Sequence, residues 1–282
     1  MDRWLVRIAR LVGAATGALA GIVAVQLMRL RRMEFLPGHP GFYINHVVHP
    51  TGVTGRGGPL RLVVLGDSTT AGVGVDRAEH ALPYLLAQRI ADREQAPVHV
   101  VSYGWSGARV TDLLRIQLPR ALEPLRDREK EPFLPGAHAV AVVIGSNDAT
   151  HQTAPSRFRA DLRATMDGIR AAAPHARIVL AGIPAFRGAL RGVEPLIFIA
   201  DQYARLLRRV ARAEADRAGV HYADLARHVP PLIQGKTDVL STDRFHPSLV
   251  GYSAWADVIF EALSGPGDGG QRRVGPMEPA GA

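Results

Sequence analysis

Short apolar runs alternate with amphipathic stretches along most of the chain. Five runs are typical of strands buried on both faces of a sheet, and they span residues 61–66, 98–103, 139–145, 177–183 and 220–222. Between them, apolar residues recur at steps of three and four, most regularly from Leu196 to Ala213, as on one face of a helix. This alternation predicts an α/β fold, a three-layer α/β/α sandwich around a parallel five-stranded sheet.

The first 33 residues follow a different pattern. Residues 11–28 are 18 successive uncharged residues, and three arginines lie on each side of them. As a helix this run would be about 27 Å long, close to the roughly 30 Å thickness of a bilayer's hydrocarbon core. We therefore predict one transmembrane anchor within residues 1–33. A signal peptide cleaved near Ala18-Leu19-Ala20 and a buried core helix are the alternatives, and the symmetric arginines leave the orientation open.

Two further segments lack a regular period. Residues 34–60 are rich in glycine, proline and histidine, which indicates a linker or an arm that wraps around the domain. Residues 265–282 are rich in glycine and proline and carry no apolar repeat, which predicts a disordered tail. The folded domain is therefore expected to span residues 61–264.

Composition narrows the possible partners. The chain has no cysteine, so disulfides, thiolate metal sites and a cysteine nucleophile are excluded. The formal net charge is +8, but residues 1–33 hold six arginines and one aspartate and so account for +5 of it. The rest of the chain has no basic block and no alternation of arginine with aromatic residues. We therefore expect the positive charge to flank the membrane segment, and we expect no nucleic acid as a partner.

Four short polar segments follow predicted strands or lie near the carboxyl edge of the predicted sheet, where open α/β sheets bind ligands. They are Gly66-Asp67-Ser68, Ser106-Gly107, Gly145-Ser146-Asn147-Asp148 and Asp243-Arg244-Phe245-His246. Ser68 is placed to present a hydroxyl to a substrate. A carboxylate three residues before His246 can hold one imidazole nitrogen and leave the other free as a base. The N–H groups of Ser68 and Gly107 and the amide of Asn147 can donate hydrogen bonds to an oxyanion.

Each segment also has a simpler structural interpretation. Residues 67–69 could cap the following helix. Gly107 could be an ordinary turn glycine, and Asn147 could form an Asx-turn. The fourth segment could be a capping cluster that uses Thr242 or Asp243 and leaves the histidine on the surface.

In combination, the four segments resemble the motifs of the SGNH (GDSL-type) hydrolases, over about residues 61–264. The resemblance implies an SGNH/flavodoxin-like fold. It also implies that Ser68 is the nucleophile, that His246 is the general base and that Asp243 orients the histidine.

The same resemblance implies an oxyanion hole made by the N–H groups of Ser68 and Gly107 and by the side chain of Asn147. Gly104 is a competing candidate for the glycine of the second motif. Gly107 is preferred because Ser106-Gly107 is followed by a helix-like stretch, as in the family's motif.

The implied function is that of a serine esterase that hydrolyses carboxylic esters through an acyl-enzyme, without a metal or an organic cofactor. The expected substrates are short-chain acyl esters or esters of the cell envelope, and Trp105, Phe186 and Phe245 could line an acyl pocket. We expect the catalytic domain to lie outside the cytoplasm, held at the membrane by its anchor. An acyltransferase or deacetylase acting on an envelope glycan or lipid is an alternative. A non-catalytic binding module on the same fold and a structural membrane protein are alternatives from other classes.

Overall fold

The computed structural model describes residues 3–32, 41–52, 58–125, 131–186 and 196–265. Within these ranges the chain forms one N-terminal helix and an α/β domain that follows it. The tail predicted for residues 265–282 lies, after Gly265, outside the described residues. The linker or arm predicted for residues 34–60 lies outside them at 34–40 and 53–57.

The helices and strands are numbered in chain order. The helices are α1 (Arg3–Arg32), α2 (Leu82–Glu94), α3 (Val110–Asp112), α4 (Leu118–Ala121), α5 (Ser146–Thr150), α6 (Pro155–Ala172), α7 (Leu196–Ala218), α8 (Leu225–Ile233) and α9 (Leu249–Ser264). The strands are β1 (Asn45–Val48), β2 (Leu60–Gly66), β3 (Val98–Ser102), β4 (Ala139–Val143), β5 (Arg177–Ala181) and β6 (His221–Ala223). A 3₁₀ turn, Ala78–His80, precedes α2, and a π-helical turn, Leu113–Gln117, joins α3 to α4.

The sheet has six strands in the order β1-β3-β2-β4-β5-β6. The five predicted strands are all present and pair in parallel from β3 to β6, which confirms the α/β architecture. The predicted strand number was too low, because β1 lies in the predicted linker and pairs antiparallel with β3 at the edge of the sheet. β1 has only four residues, so its apolar pattern is too short to show a period. The sheet is therefore mixed rather than entirely parallel.

Helices cover both faces of the sheet, as the continuous apolar strands predicted. On one face α2, α8 and α9 pack through residues such as Leu86, Val229 and Tyr252. On the other face α6, α7 and the α3–α4 segment pack through residues such as Leu162 and Leu207. β4, at the centre of the sheet, is buried along its whole length. These layers leave the carboxyl ends of the parallel strands together at one edge.

β2 ends at Gly66, and the side chain of Gln117 holds this end. Gln117 Oε1 accepts a hydrogen bond from the Gly66 N–H at 2.8 Å, and Gln117 Nε2 donates one to the Gly66 carbonyl at 2.7 Å. β3 pairs with β2 only as far as Val64, so the buried amide takes the place of a strand on that side. A Cβ on Gly66 would collide with the carbonyl oxygen of Val143, so glycine is required here. The turn that follows is thereby fixed to the sheet.

α1 contains the residues predicted as the membrane anchor. Within the described residues it is the one helix with the length and apolar composition of a membrane span or of a signal sequence, over Arg3–Gln26. Large apolar side chains such as Leu11 and Leu19 are exposed along it, so α1 is not a core helix. The Leu196 N–H donates a hydrogen bond to Gln26 Oε1 at 3.4 Å, which places the end of this segment beside the start of α7.

The substitution Gln117→Leu tests whether the two hydrogen bonds from the Gln117 side chain to Gly66 stabilise the end of β2. Leucine would leave the N–H and the carbonyl of Gly66 buried without partners, so we expect the free energy of unfolding to fall by about 2–4 kcal/mol. Urea denaturation of the full chain in a non-ionic detergent measures this change. Gln202→Leu on the exposed side of α7 is the matched control and should change the value by less than about 0.5 kcal/mol. If both substitutions lowered the free energy of unfolding equally, the stabilising role of the Gln117 side chain would be contradicted.

Candidate active site

Three side chains that the sequence singled out meet at the carboxyl edge of the sheet. Ser68 Oγ lies 2.9 Å from His246 Nε2, and His246 Nδ1 lies 2.6 Å from Asp243 Oδ2. The residues come from distant parts of the chain, since Ser68 follows β2 and the other two precede α9. All three are more than nine-tenths buried. The hydroxyl, the imidazole and the carboxylate therefore form one continuous hydrogen-bonded chain shielded from bulk water.

Asp243 is held in place by four hydrogen bonds. Its Oδ2 faces His246, while its Oδ1 accepts from Ser241 Oγ at 2.7 Å and from the N–H groups of Phe245 and His246 at 2.9 Å each. Burial alone favours the protonated form, but the hydrogen bonds from His246, Ser241 and the backbone outweigh it and hold the pKa of Asp243 well below its usual range. The carboxylate therefore stays ionised at neutral pH. Ser241 was not singled out from the sequence, although it lies only two residues before Asp243.

The turn that carries His246 is not a helix cap. The N-cap of α9 is Ser248, whose Oγ accepts from the Val250 N–H at 3.2 Å. The capping interpretation of Thr242 or Asp243 was therefore wrong, and the histidine is buried rather than on the surface.

Ser68 lies in a tight turn of its own. Asp67 Oδ1 accepts from the N–H of Thr69 at 3.0 Å and from its Oγ1 at 2.8 Å. The next α-helix, α2, starts 14 residues after Ser68 and has Ala81 as its N-cap, so residues 67–69 do not cap it. Burial raises the pKa of the Asp67 carboxyl, and the hydrogen bonds from Thr69 offset part of this rise. The turn holds the serine against the histidine.

Asn147 lies at the same edge of the sheet as Ser68. It lies in α5, directly after β4, and lines the same cavity as Ser68 and His246. Its Nδ2 donates one hydrogen to the carbonyl of Ala108 at 3.0 Å. The N–H of Ala149, two residues on, donates to the Gly145 carbonyl rather than to Asn147 Oδ1, so the side chain does not form the local Asx-turn. The second hydrogen on Nδ2 has no protein acceptor within the described part of the chain.

Gly107 lies one residue from the Ala108 carbonyl that Asn147 contacts, although Gly107 does not itself line the cavity. Its φ of +83° is in the left-handed region, where glycine is favoured. Among the described residues, neither the Gly107 N–H nor the Ser68 N–H has an acceptor. Both donors are therefore unoccupied by the protein, and the asparagine ties the glycine's loop to the site.

The competing glycine, Gly104, has a packing role. A Cβ on Gly104 would collide with the side chain of Thr70 and approach the carbonyl of Asp67, so this glycine lets its loop lie directly on the turn of the serine. No atom lies within 4 Å of a Cβ built on Gly107, so packing does not account for glycine there. The Gly104 N–H donates to Ser102 Oγ at 3.4 Å, whereas the Gly107 N–H has no acceptor among the described residues, so Gly107 stays the preferred candidate.

Asp148 supports the same loop, a role that the sequence did not indicate. Its Oδ2 accepts from the N–H of Val110 at 3.0 Å, at the start of α3. The side chain is fully buried, and burial raises its pKa. The carboxyl thus fixes residues 107–110 beside Asn147. The adjacency of Asp148 to Asn147 was the only signal available.

An apolar cavity of about 270 Å³ opens at Ser68 and His246. Its walls come from the loop after β5, from α8, from the loop between α8 and α9, and from α9. They include Phe186, Leu225, Val229, Ile233, Leu240 and Trp255. Of the three aromatic residues considered from the sequence, Phe186 and Phe245 line the cavity, whereas Trp105 packs against the core instead. Within the described ranges, no group of three or more histidine and carboxylate residues could hold a metal ion.

Comparisons with known proteins show which family and fold the chain resembles. Residues 64–254 match the model of the GDSL-like lipase/acylhydrolase family. The chain is 25% identical over 209 residues to a GDSL-like esterase of Mycobacterium tuberculosis. That alignment covers 72% of this chain and 62% of the relative, so the chain matches less than two thirds of that protein.

Solved structures share the fold. A phospholipase A1 from Streptomyces albidoflavus is 23% identical with a TM-score of 0.52, over 71% of this chain and 98% of its own. A lipase/acylhydrolase from Enterococcus faecalis is 24% identical with a TM-score of 0.55, over 71% of this chain and 93% of its own. At this level of identity the likeness concerns the α/β architecture.

The hydrogen bonds to Asp243 predict a pH-dependent contribution to stability. Because the folded pKa of Asp243 lies below its ordinary value of about 3.9, the carboxylate stabilises the fold fully above that value and progressively less as the pH falls toward the folded pKa. The difference in unfolding free energy between the parent and Asp243→Asn should therefore be largest above about pH 5 and shrink at lower pH. Urea denaturation at a series of pH values measures it, and a difference independent of pH would contradict the assignment.

Proposed function

The chain belongs to the GDSL-like lipase/acylhydrolase family, and from that premise we propose that it is a serine esterase that hydrolyses carboxylic esters through an acyl-enzyme. The observation that carries the proposal is the hydrogen-bonded chain from Asp243 through His246 to Ser68, at the mouth of an apolar cavity. A nucleophile, a base and an orienting carboxylate in this order are what acyl transfer to serine requires.

In the first half of the reaction, Ser68 Oγ attacks the ester carbonyl. His246 Nε2, 2.9 Å away, takes the hydroxyl proton as the new C–O bond forms. Asp243 accepts the hydrogen bond from Nδ1–H and stabilises the imidazolium that results. The imidazolium then gives its proton to the alcohol as the ester C–O bond breaks, which leaves the acyl group on Ser68.

In the second half, water attacks the acyl-enzyme. His246 takes a proton from the water, the tetrahedral intermediate collapses, and the acid leaves as Ser68 regains its hydrogen. In both halves, negative charge develops on the carbonyl oxygen. The N–H groups of Ser68 and Gly107 and the free hydrogen on Asn147 Nδ2 would stabilise it, and the loss of one such donor typically costs roughly 2.7–4 kcal/mol of barrier.

The cavity and α1 support a short-chain acyl substrate at a membrane. The apolar walls suit an acyl chain, because hydrocarbon gains free energy on leaving water. α1 has the length and composition to anchor the domain, and the Gln26–Leu196 hydrogen bond would hold the domain close to the anchor's end. We propose that the domain lies outside the cytoplasm and acts on esters of the cell envelope. An acyltransferase would use the same acyl-enzyme but pass the acyl group to an alcohol instead of water.

The substitution Ser68→Ala tests the nucleophile. Because alanine has no hydroxyl to acylate, kcat for hydrolysis of p-nitrophenyl acetate should fall by at least roughly 10⁴-fold. Labelling by a fluorophosphonate probe should disappear as well. Ser156→Ala, on the exposed side of α6, is the matched control and should retain both. Persistent labelling or turnover in Ser68→Ala would overturn the proposed function.

The substitution Asn147→Ala tests the oxyanion hole. Loss of one donor that acts mainly in the transition state should lower kcat by roughly 10²–10³-fold and change KM little. Steady-state kinetics on the same ester gives both constants. A kcat within threefold of the parent would show that Asn147 is not an oxyanion donor. The two backbone N–H groups would then be the remaining candidates.

A further inference from the structure

A second cavity, of about 630 Å³, lies beside the catalytic one. Four arginines of α7 and one of α8 line it, namely Arg205, Arg208, Arg209, Arg212 and Arg227, and we call it the arginine cleft. Asp201 and Asp224 also line it, so the cleft holds an excess of three positive charges. Concave surfaces of one charge concentrate the electrostatic field and attract ligands of the opposite charge.

The periodicity of α7 creates this surface. Arg205, Arg208 and Arg212 are spaced by three and four residues, so they lie on one face of the helix, and Arg209 lies beside them. The opposite face is apolar and packs on the sheet through residues such as Leu207. The arginines therefore follow from the same amphipathic pattern that fixes the helix to the domain.

The two aspartates neutralise part of the cleft only. Asp201 lies 3.4 Å from Arg205 and 3.5 Å from Arg208, and Asp224 lies 3.5 Å from Arg212. Arg209 and Arg227 are exposed, and their side chains have no carboxylate partner within the described part of the chain. Two guanidinium groups are thus available to a ligand.

The chain's general use of arginine in place of lysine does not by itself explain the cleft, because some arginines elsewhere in the chain are paired with carboxylates. The chain has just two lysines, so arginine supplies nearly all of its positive charge. Between α6 and the end of α7, however, Arg163 and Arg217 both bind Glu214, at 2.9 and 2.7 Å. The cleft differs because two of its five arginines, Arg209 and Arg227, have no carboxylate partner among the described residues.

The cleft continues the catalytic cavity, because Ala185 and Pro230 line both. We infer that the arginine cleft binds a phosphate group of the ester substrate, so that the enzyme prefers acyl esters that carry a phosphate. The inference rests on the proposed function. The acyl chain occupies the apolar cavity, the ester lies at Ser68, and the phosphate receives charge-assisted hydrogen bonds from the guanidinium groups.

A matched pair of substrates tests this specificity. 1-Hexanoylglycerol 3-phosphate and 1-hexanoylglycerol have the same ester and differ only in the phosphate. With the full chain in a non-ionic detergent, we expect kcat/KM to be higher for the phosphate ester. The preference should weaken as salt is added, because salt screens exposed charges.

Two substitutions, Arg209→Gln and Arg227→Gln, test whether the arginine cleft is the site that binds the phosphate. Each should raise KM for the phosphate ester by roughly three- to tenfold, because one solvent-exposed contact between opposite charges is lost. Both kcat and the kinetics of the neutral ester should change little. Arg120→Gln makes the same charge change on an exposed arginine of α4 outside both cavities and should alter neither substrate. Calorimetry of 1-hexanoylglycerol 3-phosphate with Ser68→Ala should show binding that Arg209→Gln weakens, and this readout needs no turnover.

Three results would overturn the inference. One is equal kcat/KM for the two esters in the parent. Another is a KM that rises equally for both esters in the arginine variants. The third is a loss of kcat/KM in the Arg209 and Arg227 variants that is seen only with 1-hexanoylglycerol in phosphatidylglycerol vesicles and not with the phosphate ester in detergent. The cleft would then contact the phosphates of the bilayer rather than that of the substrate. In each case, hydrolysis of 1-hexanoylglycerol that is lost in Ser68→Ala would leave the proposed function standing.

Discussion

The hydrogen bond between Ser68 and His246 depends on two turns that the fold holds at the same edge of the sheet. The serine's turn is fixed because Gln117 and β4 together occupy both sides of the end of β2. The histidine's turn closes on itself, since the Ser241 N–H donates to the His246 carbonyl at 2.8 Å. Each turn therefore has hydrogen bonds of its own. The buried chain of polar groups is therefore assembled from two turns that are each held by hydrogen bonds, and such fixed placement preorganises a nucleophile.

Most of the fold and the main polar residues could be predicted from the sequence. Parallel strands buried on both faces leave continuous apolar runs, and parallel topology brings their carboxyl ends together, so the polar segments that follow them meet. β1 could not be predicted because an edge strand of four residues has one partner and no detectable repeat. Gln117 was equally hidden, since only the three-dimensional structure shows that its amide replaces a missing strand. Short motifs can be recognised in the sequence, whereas a hydrogen bond between residues far apart in the chain leaves no motif that predicts it.

The cavities connect the catalytic residues to a choice of substrate. α8 contributes Val229 and Ile233 to the apolar cavity and Arg227 to the arginine cleft, so one short helix separates an environment for hydrocarbon from one for an anion. α7 supplies most of the cleft and also meets the end of α1 through Leu196. The two helices α7 and α8 thus lie beside the catalytic residues, the proposed phosphate site and the end of the proposed membrane anchor.

Detection of a covalent acyl group on Ser68 is the most direct test of the account. The full chain is mixed with a hexanoyl ester, quenched in acid within milliseconds, digested and analysed by mass spectrometry. If Ser68 is the nucleophile, the peptide that contains it gains the mass of one hexanoyl group and fragmentation places that group on the serine oxygen. The adduct should decay at least as fast as turnover. An adduct on another residue that forms and decays fast enough to account for turnover, with none on Ser68, would contradict it.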